Sequence, residues 1–399
     1  MRIQVKGQIA EALGDEMTRV MWDWIVEQLV EPYVDMKRET FDLGLPHRDA
    51  TGDQVTKDFA EATKRHLVGV KCATITPNAD RMTEYKLTKM WKSPNATIRG
   101  ALDGTIFREP ITVANIKPFI PGWTSPIVIG RHAYGEIYAG QEIRIPGAGT
   151  AEIVFTPAGG GEPIRKTLHT FDGPGVMMGT FNTDASIRSF AEASVTYALA
   201  VGRPLWFAAK DTISQTYHAR FRSIFDEVVA TRKTELESRK ITYSYFLIDD
   251  AAARLPKSNG GFVLALMNFD GDVWSDLVAS AFGSLGLMTS VLVSPSGAME
   301  FEAAHGTVTA HYRKHQRGET TSTNSVASIF AWSGALRQRG KLDGNTELSS
   351  FADRLEASTI RAIIEGAMTA DLVPLAATKP ERSLSTLEFI QAVASRLQA

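Results

Sequence analysis

The stretch VGVKCATIT (residues 68–76) decides the fold class, because it is a short apolar run of the kind that forms a buried strand. SPIVIG (125–130) predicts a second strand. By contrast, DEMTRVMWDWIVEQLVE (15–31) carries apolar residues at three- to four-residue spacing, which predicts a helix. Further predicted elements are helices at 184–202, 210–240, 272–284, 323–340 and 347–367, and a strand at 289–293. Alternating helices and strands predict an α/β fold.

Residues 136–182 interrupt this alternation. They contain the short β-like runs EIRIP, AEIVFTP and IRKTLHTF, which are separated by glycine-rich turns. The sequence therefore predicts an all-β insert here. The glycine-rich GPGVMMG (173–179) lacks the spacing and the strand-to-helix setting of a dinucleotide-binding fingerprint.

Length and charge narrow the classes of function. The chain has 399 residues, is 44% hydrophobic and carries a formal net charge of −2. This length suggests two or three domains. The near-neutral charge argues against a protein that binds nucleic acid or a membrane surface. The N-terminus lacks a basic segment followed by an apolar run, so the default expectation is a cytoplasmic protein.

The strongest acidic cluster is FDGDVWSD (269–276). A helix would place Asp272 and Asp276 on one face, since they are four residues apart. A second pair, Asp249–Asp250, follows the apolar YFLI. Such carboxylates suit Mg²⁺ or Mn²⁺, although a solvated helix face explains the same pattern.

The strongest basic cluster is KLTKMWKSPNATIR (86–99). Ser93-Pro94 predicts a helix start, so Ser93 and Asn95 would lie beside free backbone N–H groups that favour an anion. Arg99, Arg108 and Arg131 follow, and three arginines suit a ligand with several carboxylates. Ordinary surface arginines are the alternative.

Three other residues have reactive side chains. Tyr138 and Lys210 are candidate proton-transfer groups, although each is also compatible with a structural role. Cys72, the only cysteine, lies in an apolar run and is predicted to be an inert buried thiol.

These motifs together resemble the homodimeric, NADP-dependent isocitrate dehydrogenases of the eukaryotic-like class. The resemblance runs through GDEMTR (14–19), MWKSPNATIR (90–99), IGRHAYG (129–135), DGDVWSD and EAAHGTVT (302–309). It implies a large α/β domain from residues 1–102 and 284–399, a small α/β domain from 103–135 and 183–283, and a β-rich clasp domain from 136–182. The clasp would pair with its twin in a homodimer.

The resemblance also implies a role for each matching residue. The carboxylates of isocitrate would be held by Thr76, Ser93, Asn95, Arg99, Arg108 and Arg131. Mg²⁺ or Mn²⁺ would be held by Asp272 and Asp276 together with Asp249 of the other subunit, which would also contribute Lys210. Tyr138 would be the general acid. The implied cofactor-binding residues are Lys71, Thr74, Thr76, Arg81, Asn95, Arg254, Lys257, His305, Gly306, Thr307, Val308, His311 and Asn324.

One departure from the family pattern concerns the cofactor. The family usually has an arginine that binds the 2′-phosphate of NADP where this chain has Ala310. Losing a charge-assisted hydrogen bond of this kind costs about 1.5–3 kcal/mol. Arg254 occupies a position where the family usually has glutamine, and its charge could compensate. We expect NADP to be preferred, but NAD or dual use stays open. A smaller departure is Asp211, where the family usually has asparagine; its charge could raise the pKa of Lys210.

Two rival functions stay open. One is a related β-decarboxylating dehydrogenase acting on isopropylmalate, homoisocitrate or tartrate, although the arginines favour a tricarboxylate. The other is a non-catalytic protein that binds an anion or a metal, which Tyr138, Lys210 and the three aspartates make less plausible.

Overall fold

A computed structural model describes residues 2–398. The chain forms two compact units. The first combines the chain up to Ala133 with the chain from Asp184 onward, and the second is Tyr134–Thr183. The second unit contains the predicted all-β insert, whereas the division of the rest into a large and a small domain stays a prediction.

The strands are short and spread along the whole chain. They are β1 (Ile3–Gln4), β2 (Ile9–Leu13), β3 (Val34–Asp35), β4 (Arg38–Asp42), β5 (Val68–Lys71), β6 (Thr105–Pro110), β7 (Val128–His132), β8 (Gln141–Ile145), β9 (Gly149–Phe155), β10 (Ile164–Phe171), β11 (Gly175–Gly179), β12 (Leu205–Ala209), β13 (Tyr243–Leu247), β14 (Val263–Leu266), β15 (Met288–Val293) and β16 (Met299–Ala303).

The helices alternate with these strands in the first unit. They are α1 (Glu16–Ile25), α2 (Leu45–Ala50), α3 (Gln54–His66), α4 (Ala79–Tyr85), α5 (Pro94–Leu102), α6 (Asp184–Val201), α7 (Tyr217–Thr231), α8 (Lys233–Ser238), α9 (Ile248–Arg254), α10 (Asn268–Ala281), α11 (Thr309–Gln316), α12 (Val326–Asp343), α13 (Thr346–Ile364) and α14 (Thr386–Gln398).

A ten-stranded mixed sheet forms the centre of the first unit. Its order is β13-β12-β14-β7-β6-β15-β16-β5-β2-β4. Buried side chains of α6, α7, α12 and α13 cover one face of the sheet. Those of α3, α5, α9 and α10 cover the other, which carries Ile129 of β7 and Ile106 of β6. The predicted α/β class is therefore confirmed.

The predicted elements are found, with shifted ends. The strand predicted at 125–130 begins only at Val128, because Pro126 has no N–H to donate to a sheet ladder. The strand predicted at 68–76 ends at Lys71, so the second half of this run is irregular. The helix predicted at 210–240 is wrong at its start, since residues 210–216 form a turn before α7. Similarly, α10 begins at Asn268, one turn before the predicted start.

The second unit consists of two antiparallel ribbons. In it β8 pairs with β11, and β9 pairs with β10. Large apolar side chains stay exposed on these ribbons, among them Phe155 (61%), Ile164 (62%) and Val176 (78%). This unit of about 50 residues therefore exposes apolar side chains, and exposed apolar patches are typical of interaction surfaces.

Candidate active site

Arg108 and Arg131 meet the two aspartates of α10. Arg108 of β6 donates to Ser275 Oγ at 2.7 Å and to Asp276 Oδ1 at 3.3 Å. Arg131 of β7 donates to Asn268 Oδ1 at 2.8 Å and forms a short ion pair with Asp272. Both guanidinium side chains are almost fully buried. The structure thus brings these predicted substrate and metal residues together.

A glycine allows the close packing of α10 on β7. A Cβ atom added at Gly271 would lie 2.7 Å from Cβ of Arg131, well inside the contact distance of carbon atoms. Any side chain at this position would push the helix, and with it Asp272, away from the arginines. The glycine of the DGDVWSD motif is therefore required for the geometry of the site.

Burial and neighbouring charges shift the pKa values of the cluster. Burial, together with the nearby positive charge of Arg99, lowers the pKa of Arg108. Burial also raises the pKa of Asp276, although Arg108 opposes this effect. Two buried cations close to each other gain from an additional negative ligand.

Asp272 and Asp276 supply oxygen ligands of the type that Mg²⁺ and Mn²⁺ prefer. They lie one turn apart on α10, and their side chains are 39% and 59% exposed. Among residues 2–398, however, no three His, Cys, Asp or Glu side chains converge as a metal site. Within one chain Asp249, in the first turn of α9, pairs with Lys210 and does not converge with Asp272 and Asp276.

Lys210 and Asp249 form a second cluster. They follow β12 and β13, which lie two and three strands away from β7 in the sheet. The ion pair with Lys210 lowers the pKa of Asp249. The charge of Asp211 is engaged elsewhere, since Asp211 accepts from Arg222 at 2.8 Å and from the Tyr245 hydroxyl at 2.6 Å.

A buried arginine holds together the two segments that carry Thr76 and Ser93. Arg48 is fully buried and donates to the carbonyls of Ile75 and Lys92 at 3.0 and 2.9 Å. Its third partner is Asp53, at 2.7 Å. Ser93 is the N-cap of α5, with Pro94 in the first turn, as the sequence predicts. The sequence did not reveal Arg48, because an arginine in a loop-like stretch gives no sign of burial.

Several predicted cofactor residues have unsatisfied polar atoms. Thr74 Oγ1, Asn95 Oδ1 and His305 Nε2 are all buried and have no hydrogen-bond partner among the described residues. Buried polar atoms are normally paired, so such atoms need an explanation. A bound ligand with several donors and acceptors, such as a dinucleotide, would satisfy them.

The loop of Gly306, Thr307 and Val308 leads into α11. The hydroxyls of Thr307 and Thr309 both donate to Glu16, and Arg81 pairs with the same carboxylate. His311 bonds to Thr323 Oγ1 at 2.7 Å, and its pKa is lowered by burial and by Lys314. Asn324 donates to Asp371 at 3.0 Å.

The remaining cofactor candidates lie elsewhere in the single chain. Arg254 ends α9 and pairs with Asp250 at 2.9 Å, and Lys257 lies in the turn that follows. Among residues 2–398 neither forms an ion pair or a hydrogen bond with residues 305–311. Ala310 is exposed on α11, so the position that usually carries an arginine faces solvent.

Glu302 is a further site residue that the sequence interpretation missed. It accepts from Arg99 at 3.0 Å and pairs with Lys71 at 3.4 Å. The strand register places Ser290 opposite both Glu302 and Arg108, and Lys71 opposite Glu302. A row of polar side chains therefore crosses four strands beneath the site. The signal that could have revealed it is MEFEA (299–303), where two carboxylates alternate with apolar residues; no strand was predicted there.

Tyr138 and Cys72 complete the set of reactive side chains. Tyr138 ends a short 3-10 turn, Glu136–Tyr138, in the second unit and is 39% exposed. Cys72 is buried, and burial raises the pKa of its thiol to about 12. The predicted burial of the cysteine is confirmed.

The fold is α/β, and its buried arginines meet carboxylates of α10. The chain belongs to the isocitrate/isopropylmalate dehydrogenase family, whose profile matches residues 4–393. The resemblance inferred from the sequence motifs is thereby confirmed.

Curated relatives specify the kind of family member that this chain is similar to. It is 51% identical to the mitochondrial NADP isocitrate dehydrogenase of Aspergillus niger, over 100% of this chain and 80% of the relative. It is also 51% identical to the Sus scrofa protein of the same name, over 99% of this chain and 96% of the relative. The protein of that name from Candida tropicalis is 52% identical, over 100% of this chain and 93% of the relative.

These names correct one prediction. The cytoplasmic location expected from the N-terminal sequence is wrong, because the relatives are named as mitochondrial proteins. That expectation rested only on the lack of a targeting pattern, which is no positive sign of a compartment. Within residues 2–398, no helix combines the length and the apolar character needed to cross a membrane.

Proposed function

We propose that this protein catalyses the oxidative decarboxylation of isocitrate to 2-oxoglutarate and CO₂, with reduction of NADP. The observation that carries the proposal is the cluster of Arg108 and Arg131 against Asp272 and Asp276, in a chain about half identical to NADP isocitrate dehydrogenases along its full length. The alternative is the same reaction with NAD or with both cofactors.

Three arginines bind the substrate carboxylates in this proposal. Arg99, Arg108 and Arg131 supply planar, permanently charged donors that match carboxylate geometry. Thr76, Ser93 and Asn95 add hydrogen bonds from the two segments that Arg48 holds together. An isopropylmalate-type substrate has an apolar group in place of one carboxylate, so it would leave part of this charge uncompensated.

Asp272 and Asp276 hold the divalent cation, and Asp249 of the partner subunit completes the ligand set. The carboxylate oxygens and their spacing on α10 fit Mg²⁺ or Mn²⁺. When bound, the cation acts as a Lewis acid on the substrate hydroxyl and on the adjacent carboxylate. The third ligand is the one that the resemblance to the family implies.

NADP accepts the hydride when bound, and the chain supplies its position. We place the cofactor against Lys71, Thr74, Thr76, Arg81 and Asn95, the loop from His305 to Val308, and His311 and Asn324. The unsatisfied atoms of Thr74, Asn95 and His305 support this placement. Arg254 and Lys257 reach the cofactor from the partner subunit, where the charge of Arg254 offsets the loss of an arginine at Ala310.

Two residues move protons. Lys210 removes the proton of the substrate hydroxyl, and hydride leaves the carbon that bears this hydroxyl. After CO₂ is lost, Tyr138 returns a proton to the carbon that carried it. Each group works only if it lies within hydrogen-bond reach of its substrate atom.

The shared site requires a homodimer. We propose that the second unit, residues 136–182 in the predicted boundaries, is a clasp that pairs with its twin and covers its exposed apolar side chains. The large domain would comprise residues 1–102 and 284–399, and the small domain residues 103–135 and 183–283. The names of the relatives suggest a mitochondrial location.

The direct test follows the absorbance of reduced nicotinamide with Mg²⁺, isocitrate and either NADP⁺ or NAD⁺. Reduction of NADP⁺ is expected, and the ratio of the two kcat/KM values gives the cofactor preference. Isopropylmalate, homoisocitrate and tartrate serve as competing substrates. Arg108→Gln should abolish turnover, whereas Arg203→Gln, which removes an arginine that pairs with Glu109, is the matched control. Failure to reduce either cofactor contradicts the proposal.

Mixing two inactive variants tests the shared site. If Lys210 acts on the partner's substrate, a hybrid of Lys210→Met and Asp272→Asn has one intact site, so random mixing restores up to about a quarter of the activity. If Lys210 acts within its own chain, no hybrid site is intact and no activity returns.

A further inference from the structure

Glu16 joins two distant segments of the chain at the loop that leads into α11. Its Oε2 atom accepts hydrogen bonds from the hydroxyls of Thr307 and Thr309, both at 2.6 Å. Its Oε1 atom lies 2.7 Å from a guanidinium nitrogen of Arg81. The carboxylate is fully buried, and its partners Thr307 and Thr309 are 291 and 293 residues away along the chain.

The backbone is strained on both sides of this contact. Glu16 has φ +54° and Val308 has φ +56°, the left-handed region that favours glycine. A β-branched residue such as Val308 is a real outlier there. Strained residues of this kind persist only where the surroundings hold them, and they cluster at functional sites.

Arg81 links the carboxylate to a third segment. One guanidinium nitrogen donates to Thr309 at 2.8 Å, and the other donates to Glu84 at 2.7 Å. Glu16 therefore fixes both the loop and a cation of the proposed cofactor site, although nothing places Glu16 itself against the cofactor.

We propose that Glu16 is a positioning residue for NADP: it holds the loop 306–308 in its strained conformation and orients Arg81. This inference rests on the proposed function, because it takes the loop to be part of the cofactor site. The carboxylate acts through two hydrogen-bonded threonines and an ion pair with Arg81 rather than by touching the ligand.

The sign of the effect separates positioning from simple electrostatics. A negative charge close to an anionic dinucleotide is unfavourable by itself, so removing it would tighten NADP binding if charge alone mattered. Positioning predicts the opposite, since loss of the carboxylate releases the loop and Arg81.

The test measures NADP⁺ binding by calorimetry without isocitrate, and separately the KM values for NADP⁺ and isocitrate. Glu16→Gln should raise the Kd for NADP⁺ about tenfold, since hydrogen bonds to a charged group are lost. The KM for isocitrate at saturating NADP⁺ should change less than about twofold. Glu11→Gln is the matched control, because Glu11 is another buried carboxylate, bonded to Trp22 and Thr40 away from the loop.

Two more variants keep the outcome decisive. Thr309→Val removes the hydrogen bond to Glu16 and the one from Arg81 while Glu16 stays, so it should weaken NADP⁺ binding in the same direction even if Glu16→Gln folds poorly. Asn95→Ala tests the proposed cofactor site without touching Glu16. If Asn95→Ala weakens binding but Glu16→Gln and Thr309→Val do not, the inference alone is wrong. If none of the three weakens binding, the placement of the cofactor is wrong as well.

Discussion

Replacing Glu302 by glutamine should reveal how the polar row beneath the site is stabilised. Glu302 is buried between Lys71 and Arg99, and these cations, with Arg108, hold its pKa low against the effect of burial. Glu300 lies two residues away on the same face of β16. Burial and the negative charge of Glu302 raise the pKa of Glu300, so at neutral pH the pair carries one charge.

The magnitude follows from this sharing of charge. Removing one partner of a buried ion pair typically costs about 3–5 kcal/mol of the free energy of unfolding. Glu302→Gln should lie at the low end, about 3 kcal/mol, because Glu300 can then ionise and pair with Lys71. Glu300→Gln alone should be neutral or slightly stabilising at pH 7. The double variant leaves Lys71 without any carboxylate and should cost about 5 kcal/mol, a coupling of about 2 kcal/mol.

The pH dependence supplies an independent check of the sign. The folded pKa of Glu300 is above its unfolded value of 4.5, so the folded state binds more protons and stability falls as pH rises from 4.5 to about 8. Urea unfolding of the wild type and the three variants between pH 5 and 8 measures both effects. Strictly additive costs, or a Glu300→Gln variant with the wild-type slope, would contradict this account of the pair.

Three further outcomes are expected. Arg48→Met should lower the free energy of unfolding by about 3–5 kcal/mol, because it leaves the carboxylate of Asp53 without its ion-pair partner. It should also raise the KM for isocitrate about tenfold, because the carbonyls of Ile75 and Lys92 are no longer held. An unchanged KM would show that Arg48 only stabilises the fold. Lys210→Met should lower kcat by about 10²–10⁴-fold with little change in the KM for isocitrate, as steady-state kinetics would detect. Burial lowers the pKa of His132 to about 3, so on acidification His132 is protonated in the unfolded state before the folded state. The free energy of unfolding should therefore fall by up to about 1.4 kcal/mol per pH unit below pH 6.5. His132→Asn should remove this contribution to the pH dependence of acid unfolding.

Local signals in the sequence were enough for the elements and for the charged clusters. The alternation of helices and strands, the N-cap at Ser93 and the four-residue spacing of Asp272 and Asp276 are all properties of short segments, and the structure confirms them. The ends of the elements were predicted less accurately. Pro126 cannot donate to a sheet ladder, and residues 210–216 form a turn, but the spacing of apolar residues indicates neither.

Residues that support the site from below could not be found in this way. Arg48, Glu16 and Glu302 are charged, and charged residues are usually exposed, so each sequence position taken alone suggested the surface. Their burial depends on partners that the fold supplies from other segments: Glu302 pairs with Arg99 and Lys71, and Glu16 with Thr307 and Arg81. Sequence patterns of ten or twenty residues cannot contain such pairs.

The separations along the chain explain why the site depends on the whole first unit. Arg131 meets a residue 141 positions later, Arg99 one 203 positions later, and Glu16 one 291 positions later. The substrate cluster joins the middle of the chain to α10, whereas the loop before α11 is held by the N-terminal segment. The two sets of contacts are attached to the same sheet but have few residues in common. A substitution at Glu16 should therefore weaken cofactor binding and leave the contacts of Asp272 and Asp276 unchanged. A defect at Glu302 should disturb both, since that carboxylate lies between Lys71 and Arg99.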